Sequence, residues 1–279
     1  MQVSEGDVFA DLHTHTNASD GVHSPAALVR RAVQRGIQVL SVTDHDTVAG
    51  IAAAAEAARE EGIHFLTGIE LSVTLDGEEI HLLAYGFDPA HDGLQRHLSA
   101  MKTARRERAW SIVERLRTLG VEVVDDRLRA DIESSSAVGR PHVAAALVRA
   151  GYVDTPEEAF DHYLGRGQPG YVSKPAFAAE NALDLIHDAG GVGALAHPGH
   201  WTSGRQIRKL VERGLDGLET IHPSHDESLY GYYERLADGY DVVTTGGSDY
   251  HGRTDAEECS FGRVGMSQSA WERFRSILA

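Results

Sequence analysis

Three histidines and two aspartates fall within FADLHTHTNASDGVHSP, residues 9–25, directly after an apolar start. Histidine and aspartate are poor strand formers, and charged groups resist burial unless they are paired or bound to metal. The His-x-His pair, His13 and His15, can turn two imidazoles toward one ion. Further candidates recur along the chain: Asp20, then Asp44, His45 and Asp46 in VTDHD, then Glu70, His81, His197, Asp249 and His251. These are more ligands than one tetrahedral ion can use, and a glutamate among them can bridge two ions. Nitrogen and oxygen donors without sulfur suit Zn, Mn or Fe. A multinuclear centre lowers the pKa of a bridging water and clamps the attacking and leaving oxygens of phosphoryl transfer. The chemistry these residues point to is metal-assisted hydrolysis, most naturally of a phosphate ester.

Such residues need elements to hold them, and the chain supplies strands alternating with helices. A short apolar run, Val8–Leu12, stops at His13. Ser24 as N-cap, Pro25 at the first helical position and Gly36 as stop frame a helix. The strand at 37–42 runs into Thr43-Asp44-His45-Asp46, and an Ala-rich helix after Thr47 closes at Gly62. The strand at 64–69 leads to Glu70, the run at 80–85 contains His81, and the run at 192–196 ends at His197. Leu215–Leu218 leads to Glu219, and 242–245 leads through two glycines to Asp249 and His251. Polar chemistry thus recurs at the carboxyl ends of strands separated by helices, the face on which (β/α) barrels build active sites. Singly, each histidine reads as an ordinary core or loop residue; six such strand ends together do not.

The ordered motifs DLHTHTNASDG, SVTDHDTVAG, GIEL, HLLAYGFD, ALAHPGH and GGSDYHG resemble those of the PHP (polymerase and histidinol phosphatase) phosphoesterases, from about residue 8 to 265. The resemblance implies an α/β fold, a distorted (β/α)7 barrel, with a trinuclear metal centre. Carried over by motif, His13 and His15 with Glu70 and Asp249 hold a first ion, and Asp20, His45 and His251 a second. Glu70 bridges to a third bound by His81 and His197. The expected cofactors are therefore two to three divalent ions of Mn, Fe or Zn, and hydrolysis proceeds by attack of a metal-bridging hydroxide. No ligand position is missing, which argues against a non-catalytic PHP module. Asp44 and Asp46 flank a ligand. One of them is expected to orient His45 through its second ring nitrogen. The other contacts substrate or moves a proton, and the resemblance points to Asp46 for that side, with a helix N-cap as its alternative.

More than a hundred residues separate His81 from His197, far beyond one strand–helix unit. Residues 90–175 read as a helical insertion subdomain, with helices over 93–119 and 141–150 and a third opening at Thr155-Pro156. The barrel then comprises residues 1–89 and 176–279. Within so acidic a chain, KTARRER stands out. Arg105, Arg106 and Arg108 are either a solvated helix face or a phosphate-binding cluster, since arginine presents a fork to phosphate oxygens. Arg140 and His142 lie at a helix start, where free amides attract anions. Tyr171 and Lys174 are further candidates, as are His222 and His225. His222 also competes with His197 as a ligand, and His197 is favoured because it directly follows an apolar strand. Nucleotide-type members similar to this chain combine such an insertion with basic residues that grip a second phosphate. That combination implies a 3′,5′-nucleoside bisphosphate, or the 5′ end of a short RNA, as substrate. Histidinol phosphate is the runner-up, disfavoured because its cationic amine needs no arginine cluster. An amidohydrolase is a third choice.

Composition sets the outer limits. The 279 residues, 42% hydrophobic and 24% charged, suit one large domain or one domain carrying an insertion. A net charge of -16 argues against duplex nucleic acid as partner, though a bound metal still admits a small anion. With Cys259 as the single cysteine, neither a disulfide framework nor a thiolate zinc site is expected. No apolar run approaches membrane-spanning length and the amino terminus lacks a signal-peptide pattern, so a cytoplasmic location with no membrane partner is expected. The oligomeric state is not encoded in any of these features.

Overall fold

The computed structural model describes residues 8–135, 137–174 and 176–278. Among them, seven strands form one sheet in the order β1 to β7. They are β1 (Ala10–Asp11), β2 (Val39–Val42), β3 (His64–Leu75), β4 (Glu78–Tyr85), β5 (Val192–Leu195), β6 (Gly217–Ile221) and β7 (Val243–Gly246). The helices are α1 (Pro25–Gln34), α2 (Ile51–Glu61), α3 (Asp92–Thr118), α4 (Asp126–Ser134), α5 (Arg140–Arg149) and α6 (Pro156–Ala159), which runs into a π-helical turn over Phe160–Leu164. After these come α7 (Ala179–Asp188), α8 (Gly204–Val211), α9 (Glu227–Tyr240), α10 (Asp255–Ser260) and α11 (Gln268–Arg275).

The described residues divide into two compact units, one running to Gln95 and resuming at Ala176, the other Arg96–Pro175. In the first, neighbouring strands are parallel except β4, which is antiparallel to both β3 and β5. The reason is local. Asp76 and Gly77, with φ of 52° and 83°, make the two-residue left-handed turn of a hairpin, so the chain reverses at once instead of crossing over by a helix. The two ends of the sheet meet where the Leu12 N–H donates to the Gly246 carbonyl at 3.2 Å and Ala10 exchanges hydrogen bonds with Met266. The result is the seven-stranded PHP-type barrel that the motifs imply.

Outside the sheet, the apolar stripes of α1 (Leu28, Val29, Ala32) and α2 (Ala54, Ala57, Ala58) pack on Ile37, Leu40 and Val42. The α1 boundaries follow the expected punctuation, with the Ser24 hydroxyl accepting the Ala27 N–H and Gly36 at φ 83°. A second cluster joins Leu12, Leu83, Tyr85 and Ala194 to Trp271 and Phe274 of α11. Each fully buried side chain of this size contributes about 1.5–3 kcal/mol.

The helical unit has its own core, built on Ile112, Leu116, Leu128, Val143, Leu147 and Leu164. It starts inside α3 rather than before it, because the first turn of α3 packs on the barrel unit, with Gly93 against Leu185 of α7. Helix α4, capped by Asp125 through the Leu128 N–H, was not expected from the sequence pattern.

Candidate metal centre

Strand ends of the barrel deliver the candidate ligands one by one. His13 and His15 follow β1. Between them Thr14 turns the other way, its hydroxyl donating to the Ser41 carbonyl at 2.7 Å, which locks the period-two alternation that sends both imidazoles inward. His45 follows β2, His197 follows β5, and Asp249 and His251 follow β7. Glu70 and His81 lie inside strands β3 and β4. Glu70 pairs with Leu83 and Ser72 with His81, so Glu70 and His81 share one face of the hairpin. The β7 loop approaches very closely: a Cβ on Gly247 would stand 2.4 Å from the His13 nitrogen, so only glycine fits there.

Glu70 is the hub. Its Oε2 lies 3.4 Å from His13 Nε2, 3.3 Å from His15 Nε2 and 2.9 Å from His45 Nδ1. Its Oε1 lies 2.7 Å from His81 Nδ1 and 3.0 Å from His197 Nε2. Asp249 Oδ1 adds contacts to His13 at 3.3 Å and His15 at 3.1 Å. Asp20 sits 3.3 Å from His251 Nε2 and 4.0 Å from His45 Nε2. Four overlapping groups bring their ligand atoms within 4.8 Å of one another: His15, Asp20, His45 and His251; His13, His15 and Asp249; His13, Glu70 and His197; and His45, Glu70 and His81. Together they contain all nine residues expected as ligands.

The donor set fits divalent metal. His13 Nε2, both ring nitrogens of His15, His45 Nδ1 and Glu70 Oε2 are buried without a hydrogen-bond partner. Such clustering of buried, unbonded lone pairs is costly unless a cation satisfies them. The electrostatics agree. Burial alone would push the Glu70 and Asp249 carboxyls up, yet the surrounding imidazoles hold both well below the usual range. Burial opposes charge on His15, but the Asp249 and Glu70 carboxylates outweigh it and push His15 up to about 10. His45 goes the other way, driven down to about 4 by burial. The carboxylates thus demand positive charge at this spot, which a metal ion supplies in place of protons.

Asp44 is a correction. It does not orient His45: its Oδ1 accepts from the Thr16 N–H at 2.7 Å and the Ser19 hydroxyl at 2.6 Å, and its Oδ2 from the Thr16 hydroxyl at 2.6 Å. The short side chain faces the β1–α1 loop, whose donors engage both of its oxygens. Asp46, at φ 48°, accepts the Ser72 N–H at 2.7 Å just beyond Glu70. It is no helix cap, because α2 begins at Ile51 behind Gly50. His222 stands beside the ligands, its Nε2 3.3 Å from Asp249 Oδ2, but enters none of the four ligand groups, whereas His197 does.

The basic residues of the helical unit are placed differently. Arg105 and Arg108 are buried in it, and Arg108 Nε donates to the Val172 carbonyl at 2.8 Å. The Arg140 guanidinium stacks over Phe160 and Tyr171, at 5.5 and 5.7 Å, and reaches the Leu164 carbonyl. Both side chains thus also tie together main-chain carbonyls and rings of the helical unit. His142 Nδ1 accepts the Gly139 N–H at the start of α5. Arg106 is exposed and Lys174 half-buried.

Three residues that the sequence reading gave no role touch the candidate ligands. Buried Asp11 accepts from the His13 N–H, the Ser248 N–H and the Ser248 hydroxyl, and burial pushes its carboxyl up to about 6. Glu219 accepts from the His13 ring at 2.9 Å and from the His197 N–H at 2.6 Å. Arg253 pairs with Asp20 at 2.8 Å. Glu219 at a strand end and Asp11 at the head of DLHTHTNASDG were the signals available, whereas Arg253 follows its motif as a surface arginine.

Comparison with known proteins gives the same reading. The PHP domain profile matches residues 11–133. A 5′-3′ exoribonuclease of Haemophilus influenzae is 37% identical over 86% of this chain and 89% of its own. A 3′,5′-nucleoside bisphosphate phosphatase of Chromobacterium violaceum is 35% identical over 86% of each chain. The solved structure of a candidate metal-dependent phosphoesterase from Bifidobacterium adolescentis superimposes with a TM-score of 0.86 at 29% identity, covering 96% of both chains. Identity above a third across most of both lengths exceeds what a shared fold alone produces, and the chain belongs to the PHP family as a metal-dependent phosphoester hydrolase.

Proposed function

We propose that this chain removes a phosphate from nucleoside 3′,5′-bisphosphates and also degrades short RNA from its 5′ end. The observation that carries the reaction class is the convergence of five imidazoles on the two oxygens of Glu70, each within 3.4 Å. The substrate class rests on the relatives, a bisphosphate phosphatase and an exoribonuclease that align over most of their length.

His13, His15, Asp20, His45, Glu70, His81, His197, Asp249 and His251 would hold two to three ions of Mn, Fe or Zn, as suits their nitrogen and oxygen donors. When bound, such ions supply an activated water and offset charge on the phosphoryl oxygens. The protein's own part is positional. Glu70 joins the ligand groups, Asp46 fixes the β3 backbone beyond Glu70 while facing the substrate side, and His222 beside Asp249 contacts the ester. Arg253 holds Asp20 in place. Selection of a doubly phosphorylated substrate is assigned to the basic residues of the insertion, with the exposed Arg106 the first candidate.

The test is hydrolysis of adenosine 3′,5′-bisphosphate against AMP and histidinol phosphate by the metal-loaded protein. The reading expects the bisphosphate to lead by at least tenfold in kcat/KM. Equal rates on bisphosphate and monophosphate would overturn it.

A further inference from the structure

We infer that Glu219, through hydrogen bonds to the His13 ring and the His197 main chain, is a positioning residue that presents two histidines to the metal centre. The inference rests on the ligand set proposed above but not on which ester is cleaved.

Glu219 lies in β6, fully buried. Among the described residues no Lys or Arg pairs with it; its ion pair is with His13. A buried carboxylate without a basic side chain persists only where hydrogen bonds satisfy it. Both oxygens are so satisfied. Oε1 takes the His13 Nδ1 proton at 2.9 Å and Oε2 takes the His197 N–H at 2.6 Å. Each oxygen of Glu219 is thus tied to a donor of the protein, and Glu219 enters none of the four ligand groups.

Each bond sets one ligand. With its proton on Nδ1, His13 must leave the Nε2 lone pair bare, and Nε2 is the atom that faces Glu70 and Asp249 without a hydrogen bond. A carboxylate on the far nitrogen fixes the tautomer and the ring plane and raises the ligand's basicity. His197 sits at φ 26°, a left-handed backbone that a non-glycine residue holds only when its surroundings impose it. The short bond from its N–H to Glu219 is such an imposition, and it leaves the His197 ring 3.0 Å from Glu70. His13, Glu70 and His197 form one of the four ligand groups. One carboxylate thus positions two of its three members.

The arrangement separates Glu from Gln sharply. Both partners donate, and a glutamine offers one acceptor and one donor group, so it can serve one of them and must repel the other. Glu219→Gln is expected to bind its weakest-held ion on the order of 10- to 100-fold less tightly than wild type, read as one ion fewer per chain after gel filtration. kcat is expected to fall with KM little changed, and Glu219→Asp, with two acceptors, to recover part of both. Metal-free Glu219→Gln keeping the wild-type circular dichroism separates positioning from loss of fold. Where that variant fails to fold, 15N-histidine spectra of the zinc-loaded wild type decide: the proton is expected on His13 Nδ1. A Glu219→Gln variant with full metal content and affinity, or a His13 proton on Nε2, would overturn the inference. A wild type that binds no metal would instead overturn the ligand set itself.

Discussion

The barrel unit and the helical unit both concentrate unusual side chains, and they use them in opposite ways. In the barrel, histidines and carboxylates from six strands face one another across 2.7–3.4 Å around Glu70, leaving buried lone pairs without hydrogen bonds. In the helical unit, Arg108 and Arg140 bond to carbonyls of their own loop and stack on its rings. Convergence with unmet hydrogen-bonding capacity marks a site; density of charge does not. A cluster of arginines in sequence is therefore weaker grounds for a ligand than a set of histidines whose free atoms point at one another.

The sharpest way to break this contrast is Glu70→Gln. It removes charge at a residue that belongs to two of the four ligand groups and touches histidines of the other two, and kcat/KM is expected to fall on the order of a thousandfold, about 4 kcal/mol. Near-normal turnover with full metal content would end the hub assignment. Next, chelation removes the cations that the buried lone pairs require. At free metal near a thousand times Kd, binding adds about 4 kcal/mol, so stripping is expected to lower Tm by roughly 10 °C. A calorimetric scan showing no shift would leave the unbonded nitrogens unexplained.

The helical unit gives smaller effects, and they split. Arg108→Ala strands the Val172 carbonyl and is expected to cost about 1–3 kcal/mol of stability, measured by urea unfolding. Arg106→Ala leaves stability within about 0.5 kcal/mol while lowering the bisphosphate-to-monophosphate preference roughly tenfold. If Arg106→Ala changes both substrates alike, the insertion does not choose the substrate. The least effect belongs to Asp125, which caps α4 and pairs with Arg149 at 2.7 Å. Its hydrogen bond with Arg149 and that from Leu128 hold its carboxyl down to about 2. The folded pKa lies below the ordinary value of 3.8, so the pair stabilises above about pH 4 and loses that contribution as pH falls toward 2. Asp125→Ala is expected to cost about 1 kcal/mol at pH 7, and the difference from wild type to shrink in melts near pH 2.

Much of the barrel was legible in the chain because two independent signals coincide there. An apolar run ending in His announces both a strand and its carboxyl end, as at His13 and His197. Ser24-Pro25 and Gly36 punctuate α1 as capping chemistry requires. What stayed illegible depends on partners distant in sequence. Asp44 flanks a ligand, yet its acceptors are taken by Thr16 and Ser19, 28 and 25 residues earlier. Glu219 was visible as a strand-end carboxylate, but its bond to His13 spans 206 residues, and nothing local distinguishes an ion's ligand from the residue that orients one. The arginines were ambiguous in the chain for a third reason. A basic residue's task is set by which carbonyls a loop leaves unsatisfied, and an irregular loop has no period from which to read that.

The joint between the two edges of the barrel sheet has a consequence for how the protein is made. Strand β1 is two residues long, and the bonds that hold it to the far edge come from Gly246 and Met266, near the other end of the chain. Asp249 and His251 arrive on that same late segment. A ribosome therefore releases His13 and His15 more than two hundred residues before the partners that complete their ligand groups. The centre cannot assemble during synthesis of the first strands, and barrel closure and metal capture fall together as one late, long-range event.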